Sequence, residues 1–179
     1  MRPITEIRIE DFGNRNPKNG PSDSVLREFE ESLGVTLPSS YVQLLNHRNG
    51  GTPFHNIIIP KSDLLGPYIS FAGFFCLDTN KEHGNGVWRA YHAMKCILPE
   101  TCFAFGEDEG GGLFLLWFDN GEWSVWFAHM DQEFEMLLVA QSFEDFIDSL
   151  LPITDLPKVD PLFELGEDGM PRLKADLAD

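Results

Sequence analysis

From residue 22 to residue 33 the apolar side chains fall at Val25, Leu26, Phe29 and Leu33, with Arg27, Glu28, Glu30 and Glu31 between them. That spacing puts one apolar stripe on one face of a helix and the charges on the other. Ser22, Asp23 and Ser24 supply N-cap candidates, and Gly34 supplies the residue that most easily turns left-handed at a helix end. Leu37-Pro38 opens a second helix, with proline at the first helical position, where its missing N–H is not needed. Tyr41, Leu44 and Leu45 point inward, and Asn49-Gly50-Gly51 stops the pattern. So short a connection makes the pair a helical hairpin with Leu26, Phe29, Leu33, Tyr41 and Leu45 in the core.

The remainder reads chiefly as strands. Ile4 to Ile9 is a short strand with Ile7 and Ile9 alternating, and 14–21, rich in Asn, Gly and Pro, is loop. Residues 54–59 and 69–77 carry the β-branched and aromatic runs of strands. Residues 86–96 read as a helix that packs through Val87, Trp88, Tyr91 and Met94. A short strand at Cys102–Phe105 leads into the turn Glu107-Asp108-Glu109-Gly110-Gly111-Gly112. Leu113–Phe118 is an unbroken apolar run suited to a central strand covered on both faces. Asn120-Gly121 is a strong hairpin signal, and the chain returns along Trp123–Phe127 with Trp123, Val125 and Phe127 on one face. Ser142-Phe143-Glu144-Asp145 is a variant capping box ahead of Phe146, Ile147, Leu150 and Leu151 at helical spacing. This order predicts an α+β fold, a mixed or antiparallel sheet flanked by helices with an N-terminal helical hairpin. One domain over 1–151 is followed by an acidic, proline-containing tail over 152–179, read as extended, with Leu162, Phe163 and Leu165 available to wrap on the body.

Several of these pieces, in this order, resemble a known family. Leu33-Gly34, Leu37-Pro38, Tyr41, Leu44-Leu45 and Asn49-Gly50-Gly51 resemble the opening motif of the SUKH superfamily. Its Smi/Knr branch takes its name from fungal regulators of cell-wall glucan synthesis. Phe74-Phe75-Cys76-Leu77, Phe103-Ala104-Phe105 and Val139-Ala140-Gln141-Ser142-Phe143-Glu144-Asp145-Phe146 are similar as well. The resemblance covers roughly 22–151. It implies an α+β fold without catalytic activity and without a catalytic residue to carry over. It also implies a protein-binding role: in bacteria, immunity proteins that neutralise toxins, often nucleases; in fungi, regulation of wall synthesis.

Charge sharpens this picture. The chain of 179 residues is 42% hydrophobic and 23% charged, the composition of a folded protein, yet its net charge is −16. Residues 1–51 carry net −1, residues 52–98 net +1 and residues 152–179 net −4. Residues 99–151 hold 12 acids and no Lys or Arg. Such a field repels phosphate backbones and anionic lipid, so neither nucleic acid nor a membrane surface is an expected partner, and a basic protein is. No apolar run reaches the length of a membrane span. The start lacks the apolar core of a signal peptide, and the three cysteines, Cys76, Cys96 and Cys102, have no metal-type spacing. The expected setting is a cytoplasm with reduced, mostly buried thiols.

Candidate chemistry is sparse. His47, His55, His83, His92 and His129 form no HExxH and no i, i+4 pair, so no metal site is expected. The acids and glycines of 107–112 lack both the EF-hand pattern and the Lys-Ser or Lys-Thr of a phosphate loop. Carboxylates near Cys102 would raise its thiol pKa, the reverse of activation. An Asp108–Asp119 pair for glycoside chemistry is cheap to find among so many acids. Trp117, Trp123 and Trp126 are read as packing residues, two of them facing the core and Trp126 the one placed for exposure. The expectation is a non-enzymatic binder with no cofactor. Its partner-facing residues are Glu107, Asp108, Glu109, Asp119, Glu122, Asp131 and Glu133, set on two rims of one meander. The leading reading is an immunity protein against a cationic toxin. A wall-synthesis type regulatory scaffold and, behind it, a small-molecule or glycan enzyme remain as alternatives.

Overall fold

A computed structural model describes residues 3–10, 17, 19–59, 68–82, 84–129 and 135–152, with the backbone of 163–165 and 171–173. The strand expected over Ile4–Ile9 does not form as a whole. Ile4–Glu6 is a 3₁₀ turn, closed by Glu6 N–H to the Pro3 carbonyl (3.0 Å) and Ile7 N–H to the Ile4 carbonyl (3.2 Å). Ile4 and Ile7 lie three apart, the spacing at which a 3₁₀ turn aligns side chains, and both are buried. Strand pairing begins at Ile9–Glu10, β1, antiparallel with β2 (Thr52–Pro53).

Helix α1 (Asp23–Leu33) is capped as expected: Ser22 Oγ accepts from Val25 N–H, and Gly34 sits left-handed at φ 84°. Helix α2 (Ser39–His47) starts one residue later than the sequence placed it, with Pro38 in the N-cap position. Glu30 joins the two, its Oε1 accepting from Leu37 N–H at 2.8 Å. Val25, Phe29, Leu33, Tyr41, Leu44 and Leu45 are buried, and Leu26 is partly so.

Six strands pair antiparallel in chain order: β3 (Ile57–Ile58), β4 (Ile69–Phe74), β5 (Cys102–Asp108), β6 (Leu113–Asp119), β7 (Glu122–Ala128) and β8 (Met136–Ala140). Of the strand expected over 54–59 only Ile57–Ile58 forms, and Phe54 N–H donates instead to the Arg8 carbonyl at 2.8 Å. Helix α3 (Val87–Met94) buries the four residues expected of it. Helix α4 (Phe143–Ser149) is capped by Ser142 Oγ on Asp145 N–H (3.1 Å). It is shorter than the apolar spacing predicts. Leu150 leaves the helix, and Leu151 instead exchanges backbone hydrogen bonds with Ile57 at 3.0 and 2.8 Å. In the tail, β9 (Phe163–Leu165) pairs with β10 (Pro171–Leu173) as a small antiparallel hairpin.

The described helices gather on one face of the sheet. Phe29 of α1 meets Phe103 edge-on at 5.1 Å and also holds Trp88 and Tyr91 of α3, at 5.0 and 5.5 Å. Tyr41 of α2 contacts Phe103, Phe105 and Phe143, and Phe146 of α4 contacts Phe71, Phe105 and Phe114. Edge-to-face pairs of this kind add about 0.5–1.5 kcal/mol each beyond the area they bury. Buried Asn49 pins this layer to the segment that follows β4: its Oδ1 accepts from Leu77 N–H (2.7 Å) and its Nδ2 donates to the Leu77 carbonyl (2.8 Å). Gly51, at φ 113°, then exchanges backbone hydrogen bonds with Phe74, and a Cβ there would stand 2.6 Å from the Glu10 carbonyl oxygen. Asn49-Gly50-Gly51 is thus more than a helix stop.

Candidate functional site

The meander β5–β8 carries the acidic stretch and sorts its carboxylates by use. Asp108 ends β5 and closes the first hairpin. Its N–H donates to the Gly112 carbonyl at 2.9 Å, and its Oδ1 accepts from Gly112 N–H at 2.6 Å. Gly111 turns left-handed between them at φ 86°. Glu107 is not in the turn, as the sequence reading had it, because β5 continues through Asp108. It lies half-buried in the strand opposite Gly73 and Leu113. Burial, and after it the charge of Asp108, raises its carboxyl above the ordinary range. Glu109 is the exposed member of the three.

At the second hairpin Asp119 and Glu122 are direct cross-strand partners, both exposed. Asn120 (φ 51°) and Gly121 (φ 89°) between them adopt the type I′ turn that fits strand twist. Asp119 Oδ2 accepts from its neighbour Asn120 Nδ2 at 2.8 Å. Like charges directly opposite are destabilising in a sheet, so folding gains nothing from this pair. Strand β6 separates the two hairpins by about 20 Å at ordinary strand rise. Glu107, Asp108 and Glu109 therefore sit at one rim, Asp119 and Glu122 at the other. Asp131 and Glu133 lie outside the described residues. Further exposed acids of the stretch are Glu100, Glu135, Asp145 and Asp148. The ion pairs Arg8–Glu10 and Lys81–Glu28 lie elsewhere in the chain.

Trp117, Trp123 and Trp126 are half-buried and packed against the core, as expected, but not on one face. Only Trp123 faces the helices, edge-on to Phe103 at 6.0 Å, with Nε1 donating to the Thr36 carbonyl. Trp117 and Trp126 lie on the opposite face, 5.3 Å apart and both partly exposed. Strand register puts Ala104, Leu115, Trp126 and Leu138 in one row across that face. The strand at 136–140 has no signature in the sequence. Met136-Leu137-Leu138-Val139 lacks alternation and is rich in helix formers, so it hid the strand that ends the sheet.

Other groups have structural explanations. Burial pushes the Cys102 thiol up to about 12, and burial with the Asp78 charge does the same to Cys76, while Cys96 is exposed. Both buried thiols are protonated at neutral pH and are poor nucleophiles. A groove of about 350 Å³ runs between α1 and α3, lined by Glu31, Tyr91, Lys95 and Glu100 among others. The Tyr91 hydroxyl there is occupied, donating to the Ser32 carbonyl at 2.8 Å. Among the described residues no three His, Cys, Asp or Glu side chains converge as metal ligands, and no helix is long and apolar enough to cross a membrane.

No curated protein matches this chain. A family model does, over residues 20–149, which takes in the helical hairpin, the six-stranded sheet and α4. The chain belongs to the SMI1 / KNR4 family (SUKH-1).

Proposed function

We propose that this chain is a non-enzymatic binding protein that neutralises a cationic protein, as an immunity protein does a toxin domain. One observation carries the reading. Residues 99–151 contain 12 acids and no Lys or Arg, and the fold leaves Glu109, Asp119 and Glu122 exposed at the ends of its central hairpins. Asp119 and Glu122 oppose each other at a cost to the sheet, which is understandable if the site serves a partner. Opposite net fields speed encounter, and occluding a cationic active face needs no chemistry from the inhibitor. The buried, protonated Cys76 and Cys102 and the occupied Tyr91 hydroxyl favour binding over catalysis. Family membership supports the domain type, and the toxin and the cytoplasmic setting belong to this proposal.

The test is capture from the native host on immobilised full-length chain, with mass spectrometry of what is retained. The expected result is a basic toxin domain encoded beside this gene, whose activity falls when the chain is added. Retention of a non-toxic client in place of a toxin would favour the regulatory-scaffold reading. Turnover of a small molecule would overturn both.

A further inference from the structure

The two edges of the six-stranded sheet are finished differently. At β3 the edge is closed by the reciprocal backbone bonds between Ile57 and Leu151. At β8 the ladder runs to β7 alone among the described residues, and β8 is last in the sheet order. Natural edge strands are guarded by lysine, proline, inward charge or a bulge. Met136–Ala140 contains neither charge nor proline. It has one bulge, where Val125 pairs with Ala140 and Trp126 with Leu138, leaving Val139 as the extra residue. Met136–Leu138 is regular strand, with Leu138 38% exposed and Met136 and Leu137 partly so.

We infer that β8 is a strand-addition site, where an extended, cationic segment of a partner protein pairs with Met136–Leu138 and becomes the next strand of the sheet. Main-chain hydrogen bonds supply the adhesion, and alternate side chains read the surface. On one face, a residue opposite Leu138 extends the row Ala104–Leu115–Trp126–Leu138. On the helix side stands α4, packed on β7 and β8 and carrying Glu144, Asp145 and Asp148, with Glu135 at the start of β8. The preferred segment therefore alternates apolar and basic residues. Charge also selects between occupants: a second copy would bring a 12-acid stretch without Lys or Arg against its own image. The inference deepens the proposed function by naming the mode of docking, and it rests on that reading for the sign of the partner's charge.

The probe is a nine-residue peptide alternating valine and lysine, titrated into the full chain at low salt. Its control is the same peptide N-methylated at every second residue, which keeps charge and shape and removes ladder donors. NMR amide exchange is followed across β8. The expected result is slowed exchange at Met136–Leu138 on saturation, at least tenfold weaker binding of the methylated peptide, and loss of binding in Leu138→Lys with the fold retained. Equal binding of both peptides with no protection at β8 would overturn strand addition and leave electrostatic docking, and so the proposed function, standing. Binding of neither peptide would overturn the inference too. So would concentration-dependent dimerisation through β8, or contacts from Phe163–Leu165 to β8 in the free chain, since the edge would already have an occupant.

Discussion

Asp108 and Asp119 each end a strand of the same meander and open its next turn, four residues before Gly112 in one case and three before Glu122 in the other. Asp108 turns its carboxylate inward onto Gly112 N–H and is bound into the hairpin. Asp119 faces an acid across the strands and, beyond Asn120, gives the fold nothing. Two turns of similar composition thus differ in what their acids are for. One set holds the sheet together, and the other makes a field around it. The lesson for a chain this acidic is that charge counts alone do not locate a binding surface. The acids must first be divided into those with backbone partners and those without.

The division can be broken by substitution, beginning with the structural turn. Asp108→Ala should destabilise by about 1.5–3 kcal/mol, the range for a lost charge-assisted hydrogen bond, read as a shift in urea midpoint. Gly112→Ala should cost about 1–3 kcal/mol, because its Cβ would lie 2.3 Å from Cζ of buried Phe127 and force that ring aside. If Asp108→Ala leaves the midpoint where it was, the first turn is no more structural than the second.

Glu107 sharpens the contrast through pH. Its folded pKa is raised, by burial first and then by Asp108, so the folded state keeps a proton that the unfolded chain has lost. The associated stability is full below the unfolded value of about 4.3 and is lost as pH rises through the folded value. Glu107→Gln should flatten that fall, measured as urea midpoint against pH upward from the ordinary carboxylate range. An unchanged slope would remove Glu107 from the structural set. At the second turn, Asp119→Lys should change stability by less than about 0.5 kcal/mol, or raise it slightly, since it replaces a like-charge pair with an opposite one. A loss of 2 kcal/mol or more in the same urea titration would show that Asp119 is structural after all.

How much of this was legible in the sequence differs by element. The α1–α2 hairpin was, because caps and apolar spacing there are local and agree with each other: Ser22, Gly34, Phe29 and Tyr41 all sit where their chemistry places them. The Asn120-Gly121 turn was legible for the same reason. What failed depended on distant partners. Leu151 fits the helical spacing of α4 but is drawn off by Ile57, far away in sequence. Met136–Ala140 has no strand period because both its faces meet apolar neighbours. Trp117 reads as core in a continuous apolar run, yet its register opposite Ser124, beside the Leu115–Trp126 pair, puts it on the face away from the helices. The acidic stretch itself was plain from composition. That Asp108 serves its own hairpin was not, since the bond depends on how Gly111 and Gly112 turn.

The central claim, that the exposed hairpin acids without backbone partners act as a field for a basic partner, is tested most directly by association rate against ionic strength. The comparison is wild type with Glu109→Lys/Asp119→Lys/Glu122→Lys, which leaves Asp108 and its turn intact, using the partner captured from the host. The prediction is a wild-type rate that falls as the Debye length shrinks from about 30 Å at 0.01 M to about 8 Å at physiological strength, and a variant that is slower at low salt and loses most of that dependence. Equal rates with no salt dependence in either protein would contradict the account and make the acidic stretch a solvated face remote from the partner.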